Sequence, residues 1–263
     1  MKGQLTVAFK SLIVLAVLIA LWQAIVWLNH LPPYMLPGPR LVVRALIARF
    51  PSLAESVWIT SEEALGGLAA SIFAGIALAL VFAQWKWMRQ LVYPYTILLQ
   101  TVPIVAIAPL IINWIGPGIS AVTTVAFIIC LAPIIANTTQ GLVSVDESLL
   151  NLFTMHKATP LQMLFKLRFP NALPSIFTGI RISTGISIIG AITGELFAGS
   201  TRVGEGGLGY AILYAYSQME TSYMFALVVA ASALGFVLFF VVVYIEWLML
   251  HNWHESRAVS QSE

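Results

Sequence analysis

Residues 222–248 read SYMFALVVAASALGFVLFFVVVYIEWL, and Glu246 is the only charged residue among them. A helix rises about 1.5 Å per residue, so roughly 20 apolar residues cross the ~30 Å of bilayer hydrocarbon. This run is long enough to cross, and the composition around it says that it is not an isolated anchor. The chain has 263 residues, 59% hydrophobic and only 9% charged, with a mean hydropathy of +0.90. Soluble domains carry roughly 25% charged residues. Thirteen Lys+Arg and eleven Asp+Glu cannot clothe a body of this size in water, so lipid is the solvent for most of the chain. A net charge of +2 supplies no basic field for nucleic acid. Cys130 is the one cysteine; in its apolar run it reads as a small buried hydrophobe, with no disulfide framework and no thiolate cluster. His30, His156, His251 and His254 lie near segment ends without metal-ligand spacing.

Five more spans follow from the same reading. Residues 11–28 (SLIVLAVLIALWQAIVWL) form the first; no small-x-small cleavage site follows, so they read as a span rather than a signal peptide, with Trp22 and Trp27 as interface anchors. Between Pro39 and Pro51, Arg40, Arg44 and Arg49 edge a short amphipathic helix that lies in the interface. The second span, 64–83, is rich in Gly and Ala and belongs inside a bundle; Trp85 to Arg89 read as an aromatic and basic loop. The third, 91–115, carries Pro94, Pro103 and Pro109, and such breaks persist where protein or a water-filled path satisfies the freed carbonyls. The fourth covers 119–139 with Pro133. The fifth, 173–198, contains Arg181 and Glu195, and a loop with Gly199, Gly204, Gly206, Gly207 and Gly209 separates it from the last.

Six spans put both termini on one side. Lys2, Lys10, Lys86, Arg89, Lys157, Lys166, Arg168 and Arg257 fall on the terminal side, against Arg40, Arg44, Arg49 and Arg202 on the other. The basic excess makes the terminal side cytoplasmic. The chain then divides into a cytoplasmic N-terminus 1–10, a single membrane domain 11–250 and a cytoplasmic tail 251–263. Within the membrane domain, residues 141–172 are too polar to span and too patterned for a linker.

The core of that segment, NLFTMHKATPLQMLFKLRFPNALPSIFTGIRIS from Asn151 to Ser183, resembles the coupling segment of bacterial ABC importer permeases of the binding-protein-dependent type. Their pattern has a Glu-Ala-Ala run, a Gly shortly after and a closing Leu-Pro. Here Ala158, Gln162 and Leu173-Pro174 match it, whereas Asn151 stands at the leading Glu and Lys157 at the Gly. Leu99-Gln100-Thr101-Val102-Pro103, Gly190 to Glu195 and Gly206-Gly207-Leu208-Gly209-Tyr210 are similar to other parts of the family, in its order. The closest branch serves nitrate, sulfonates, taurine and vitamin precursors, with Tyr216 to Thr221 nearest the vitamin-precursor members.

The resemblance implies an all-α polytopic membrane protein with six transmembrane helices in the type I ABC importer permease fold, set in a bacterial inner membrane. It also implies a homodimer, a cytoplasmic ABC ATPase dimer and an extracytoplasmic solute-binding protein as partners. No G-x-x-x-x-G-K-[ST] occurs in the chain, so ATP and Mg belong to the ATPase and the chain itself is no enzyme. The expected solute is a pyrimidine- or riboflavin-type vitamin precursor, otherwise a sulfonate, taurine or nitrate. The rival is a secondary transporter or channel without an ATPase, which would show internal repeats or intramembrane charge relays.

Candidate residues fall in two groups. Leu150, Phe153, Thr154 and Lys157, spaced i, i+3, i+4, i+7, with Ala158 and Gln162, are expected to press into a groove of the ATPase on one helical segment, 148–165, kinked at Pro160. Glu195 is either an acid lining the path near its outer mouth or a residue snorkelling at the interface. Gln100 and Asn113 are about 140° apart on an unbroken helix, so one faces the path and the other a neighbour. Arg181 is expected to snorkel or pair locally, and Glu246 to sit at the inner interface.

Overall fold

The computed structural model describes residues 2–198 and 206–258. Gly199, Arg202 and Gly204 of the glycine loop, and the end of the tail from 259, lie outside the described residues. Among the described residues every regular element is helical. Four stretches are long and apolar enough to cross a membrane, Phe50–Gln84, Ile119–Val143, Pro160–Ala198 and Thr221–His251, and two shorter apolar helices, Ile13–Leu28 and Ile104–Ile115, accompany them.

Helix α1 (Lys2–Leu28) lies at the margin. Trp22, expected at an interface, is half-buried with its ring 6.0 Å from that of Phe225, while Trp27 is exposed. The amphipathic α2 (Pro39–Ala48) forms as expected. Arg49 leaves the expected basic edge, because it falls between α2 and α3 (Phe50–Gln84). Helix α3 starts well before position 64: Pro51 occupies its first turn, where a missing N–H costs nothing. Its 35 residues extend about 52 Å, well beyond the ~30 Å of hydrocarbon.

The loop expected at Trp85 to Arg89 shrinks to Trp85, since α4 (Lys86–Leu98) begins at once. The third span is two helices, not one. After α4, residues 99–103 break the helix before α5 (Ile104–Ile115), whose N-cap is Pro103. Pro94 and Pro109 stay inside their helices; the break falls where Pro103 withholds a donor.

Helix α6 (Ile119–Val143) is the hub, packed most extensively against α9 (Phe169–Ala198) and α3. Small residues permit the approach. A Cβ at Gly67 would stand 2.6 Å from the Ala126 Cβ, and one at Gly190 would stand 2.9 Å from the Ala126 Cα. The helices close on Ala126 from both sides. Cys130 is fully buried there, as expected; its thiol donates to the Ser183 carbonyl of α9, and the Ser183 hydroxyl donates to the Cys130 carbonyl.

Residues 148–165 are not one helix kinked at Pro160. Helix α7 (Glu147–Met155) stops, a turn follows, and α8 (Pro160–Met163) runs through a π-helical turn, Leu164–Arg168, straight into α9. The turn after α7 is a Schellman cap: Ala158 N–H reaches Phe153 O at 3.0 Å and Lys157 N–H reaches Thr154 O at 2.9 Å. Its left-handed position is Lys157, with φ 53°, the place where the family pattern carries Gly. At the other end of the bundle, α10 (Leu208–Ser217) leads through the same kind of cap, with Met219 at φ 58°, into α11 (Thr221–Ala258).

Candidate functional site

Two places concentrate polar chemistry, one at the α2/α10 end and one at the α7/α8 end. The first is built on Glu195, in the last turn of α9 and 3% exposed. Its Oε1 accepts the Thr60 hydroxyl of α3 at 2.6 Å, and its Oε2 accepts the Gly209 N–H. The Thr60 oxygen in turn accepts the Leu208 N–H at 2.8 Å. Leu208 and Gly209 open α10, whose first amides have no partner within their own helix. Glu195 and Thr60 therefore cap α10 from two other helices, and a carboxylate suits the positive end of that helix.

This explains the glycine pattern. A side chain at Gly207 would strike the Glu195 carboxyl and Thr60 Oγ1, and one at Gly209 would strike Ile192 O. Only bare backbone fits over the carboxylate.

Glu63, one turn below Thr60 on α3, is 4% exposed, and its carboxyl adjoins that of Glu195. Its Oε2 is buried without a hydrogen-bond partner. Glu63 falls just outside the expected second span, 64–83, where sequence alone gives it no role. The signal was present: Thr60, Glu63 and Gly67 share the helix face that meets α6, α9 and α10, whereas Glu62 points outward and is exposed.

Above this clasp, Arg49 makes a two-pronged ion pair with Glu220 and lies 4.7 Å over the Tyr223 ring. The Glu220 bond holds the Arg49 guanidinium above its ordinary value. The pair ties the α2–α3 junction to the start of α11.

Gln100 and Asn113 are both exposed. Gln100 falls in the break between α4 and α5, and Asn113 lies near the end of α5, so the 140° relation of an unbroken helix does not describe them. Arg181 does not pair locally: its Nη2 meets Glu246 Oε1 at 2.9 Å and joins α9 to α11.

At the α7/α8 end, Asp146 caps α7 by accepting the Ser148 N–H at 2.7 Å, and the Ser148 side chain and amide hold its carboxyl below the usual carboxylate value. Of the residues expected to couple, Thr154, Lys157 and Gln162 are exposed, while Leu150, Phe153 and Ala158 are half-buried. Gln162 forms a capping box with Thr159, and Phe153 and Ala158 close the Schellman cap. The apolar side chains that face outward are Leu149, Leu152 and Met155 of α7, with Leu161 and Phe165 beyond the turn. Met155 is 81% exposed. An i, i+3, i+6 apolar edge on a short polar-flanked helix is a docking surface in form.

The model of the family of binding-protein-dependent transport system inner membrane components matches residues 71–250. The chain is 30% identical over 240 residues to a probable ABC transporter permease protein of Haemophilus influenzae, covering 91% of this chain and 95% of that protein. It is 32% identical over 230 residues to a formylaminopyrimidine transport permease of Halalkalibacterium halodurans, covering 86% and 88%. Similarity to a riboflavin transport system permease of Chloroflexus aurantiacus is 30% over 246 residues, covering 93% and 90%.

Proposed function

This chain belongs to the family of binding-protein-dependent transport system inner membrane components, and from that premise we propose that it is the membrane subunit of an ATP-driven importer of a small organic nutrient. The family is one of transport permeases, not of enzymes. In this reading α1, α3, the α4–α5 pair, α6, α9 and α11 make six crossings. The α7/α8 end faces the cytoplasm with both termini, in line with the basic excess. Two copies surround the path, two ATPase subunits dock beneath, and a solute-binding protein delivers from outside.

The observation that carries the reading is the exposed apolar edge Leu149, Leu152, Met155 on a helix outside the spans. Apolar side chains held out of both lipid and core want a protein partner. The chain's own motor is absent by sequence, so a separate ATPase is that partner.

Charge favours the vitamin-precursor branch. Within 50–84, 91–143, 173–198 and 221–250 the only Lys or Arg is Arg181, which is engaged by Glu246; Lys86 and Arg89 stand at the start of α4. Acids are available instead, with Glu62 exposed on α3. A wall with carboxylates and a neutralised guanidinium repels nitrate and sulfonates and accepts neutral or cationic rings. Of the transported compounds that the relatives' names carry, the formylaminopyrimidine and the riboflavin fit that rule.

Reconstitution tests the reading. Proteoliposomes holding the chain, its neighbouring ATPase and its binding protein are expected to accumulate an aminopyrimidine only with ATP. Accumulation without any ATPase would overturn it.

A further inference from the structure

The α2/α10 end holds a partly open cavity of about 150 Å³. Its walls come from four helices or their junctions: Arg49, Ser52 and Ser56 at the start of α3, Tyr210 and Tyr214 on α10, and Tyr223 on α11. The Tyr210 and Tyr214 rings are stacked, 6.3 Å apart at 21°, so the pair presents an aromatic face to the cavity. Ser52 and Ser56 place hydroxyls on successive turns of α3. Among the described residues the only charge on the wall is Arg49, and that charge is already answered by Glu220 and by the Tyr223 ring. An anion entering here would find no free cation among the described residues.

The cavity does not stand alone. A second, more open groove of about 500 Å³ shares Arg49 and Tyr223 with it, so the Arg49–Tyr223 stack stands between a wide groove and a narrower, partly open chamber. On the inner side, Ser52, Ser56, Thr60 and Glu63 fall within an arc of about 80° on α3 at ~100° per residue. That polar line runs from the chamber to the buried carboxyls of Glu63 and Glu195.

We propose that this chamber is a solute subsite that takes one planar aromatic or heteroaromatic ring with neutral or cationic polar substituents. The ring stacks on Tyr210 and Tyr214, and its substituents bond to Ser52 and Ser56. Size sets an upper limit. Pockets for drug-sized ligands begin near ~300 Å³, so 150 Å³ holds a single ring and is too small to enclose a three-ring flavin. The proposal rests on the importer reading above and narrows its substrate class.

The test uses the full chain with its ATPase in lipid nanodiscs and three probes: 4-aminopyrimidine, taurine and riboflavin. Saturable 4-aminopyrimidine binding, seen by saturation-transfer NMR, is expected. It should weaken about tenfold or more in Tyr214→Ala, recover in Tyr214→Phe and weaken also in Ser56→Val, while taurine and riboflavin show none. Tyr214 is half-exposed, so its truncation spares the fold; Ser56→Val gives a second reading that adds no ring. Binding unchanged in both variants, or no binding to the native complex because the chamber holds only water, overturns the proposal. Proteoliposome uptake separates the two readings. ATP-driven uptake of any probe that is undiminished in Tyr214→Ala sinks the subsite alone. Saturable, Tyr214-dependent binding without ATP-driven uptake of any probe sinks the importer reading and leaves the subsite standing.

Discussion

Glu195 Oε1 accepts the Thr60 hydroxyl at 2.6 Å, joining two residues 135 positions apart. Both then serve α10, by way of the Gly209 and Leu208 amides. Replacing Glu195 by Ala would strand the buried Thr60 hydroxyl and the Gly209 N–H. A buried group left without its partner costs roughly 1–3 kcal/mol. Thermal unfolding in detergent should show Glu195→Ala clearly less stable than the native chain, with Glu195→Gln between them because one acceptor oxygen remains. A residue that only lined a path would lower uptake in both variants and leave unfolding unmoved.

The same clasp sets the tolerance at Gly207. A methyl group there meets the Glu195 carboxyl and Thr60 Oγ1, and overpacking a filled site typically costs 1–3 kcal/mol. Gly207→Ala is expected to lower the unfolding temperature, whereas Gly116→Ala serves as a contrast: nothing lies within 4 Å of its Cβ, but its φ of 94° strains the backbone. A shift at Gly207 that disappears in the Glu195→Ala background would identify the collision as the cause.

Much of this was legible in the sequence, and the misses share a cause. The long spans and the amphipathic α2 follow from apolar runs of helical length. The polar 141–172 segment stood out by composition alone. What failed depended on partners far along the chain. Arg181 was expected to act locally because sequence shows only neighbours, yet Glu246 lies 65 positions away. Which of the adjacent acids Glu62 and Glu63 turns inward is decided by α6, α9 and α10, all distant along the chain. Pro94, Pro103 and Pro109 look alike in sequence, but only Pro103 coincides with a helix end. The coupling segment was read as one helix because a Lys at a left-handed position gives no warning, whereas a Gly would have.

The Arg181–Glu246 pair is half open on the Arg side, so its value depends on what remains when one partner goes. An Arg in the membrane costs roughly 2.5–3.5 kcal/mol at the centre of a span, and less where it can snorkel. Glu246→Ala should therefore destabilise by about 1–3 kcal/mol. Replacing both, as Arg181→Met with Glu246→Leu, should restore most of the loss, since apolar replacements of buried pairs are often neutral. A double-mutant cycle on unfolding free energy reads the coupling; additive single losses would mean the ion pair does not bind α9 to α11.

Lys157 occupies the left-handed position of the α7 cap at φ 53°. For a residue with a Cβ that conformation costs about 1–2 kcal/mol, part of which the more flexible Gly returns as unfolded-state entropy. Lys157→Gly should steady the α7–α8 turn by about 1 kcal/mol or less. Because the segment has few buried side chains, hydrogen exchange at the Lys157 and Ala158 amides is the sensitive measure, with slower exchange expected in the variant. Faster exchange there would mean that the Lys side chain, rather than the cap geometry, holds the turn.

Coupling to the ATPase can be separated from folding because the two edges of α7 differ. Met155 is 81% exposed and Leu152 is 48% exposed, while Phe153 and Ala158 close the cap after α7 through Phe153 O and the Ala158 N–H. Met155→Asp should leave the cap and the bundle intact, since neither uses that side chain. If the Leu149, Leu152, Met155 edge sits in a groove of the ATPase, the new carboxylate is buried without a partner on assembly, which is costly. Co-purification of the ATPase and solute-stimulated ATP hydrolysis should both fall at least tenfold, with the unfolding temperature unchanged. Ala158→Asp is the sharper comparison, because a half-buried cap residue lies on the other side of the turn. If Ala158→Asp abolishes assembly without loss of stability while Met155→Asp has no effect, docking uses the Lys157–Ala158 turn, and the outward apolar edge has some other occupant.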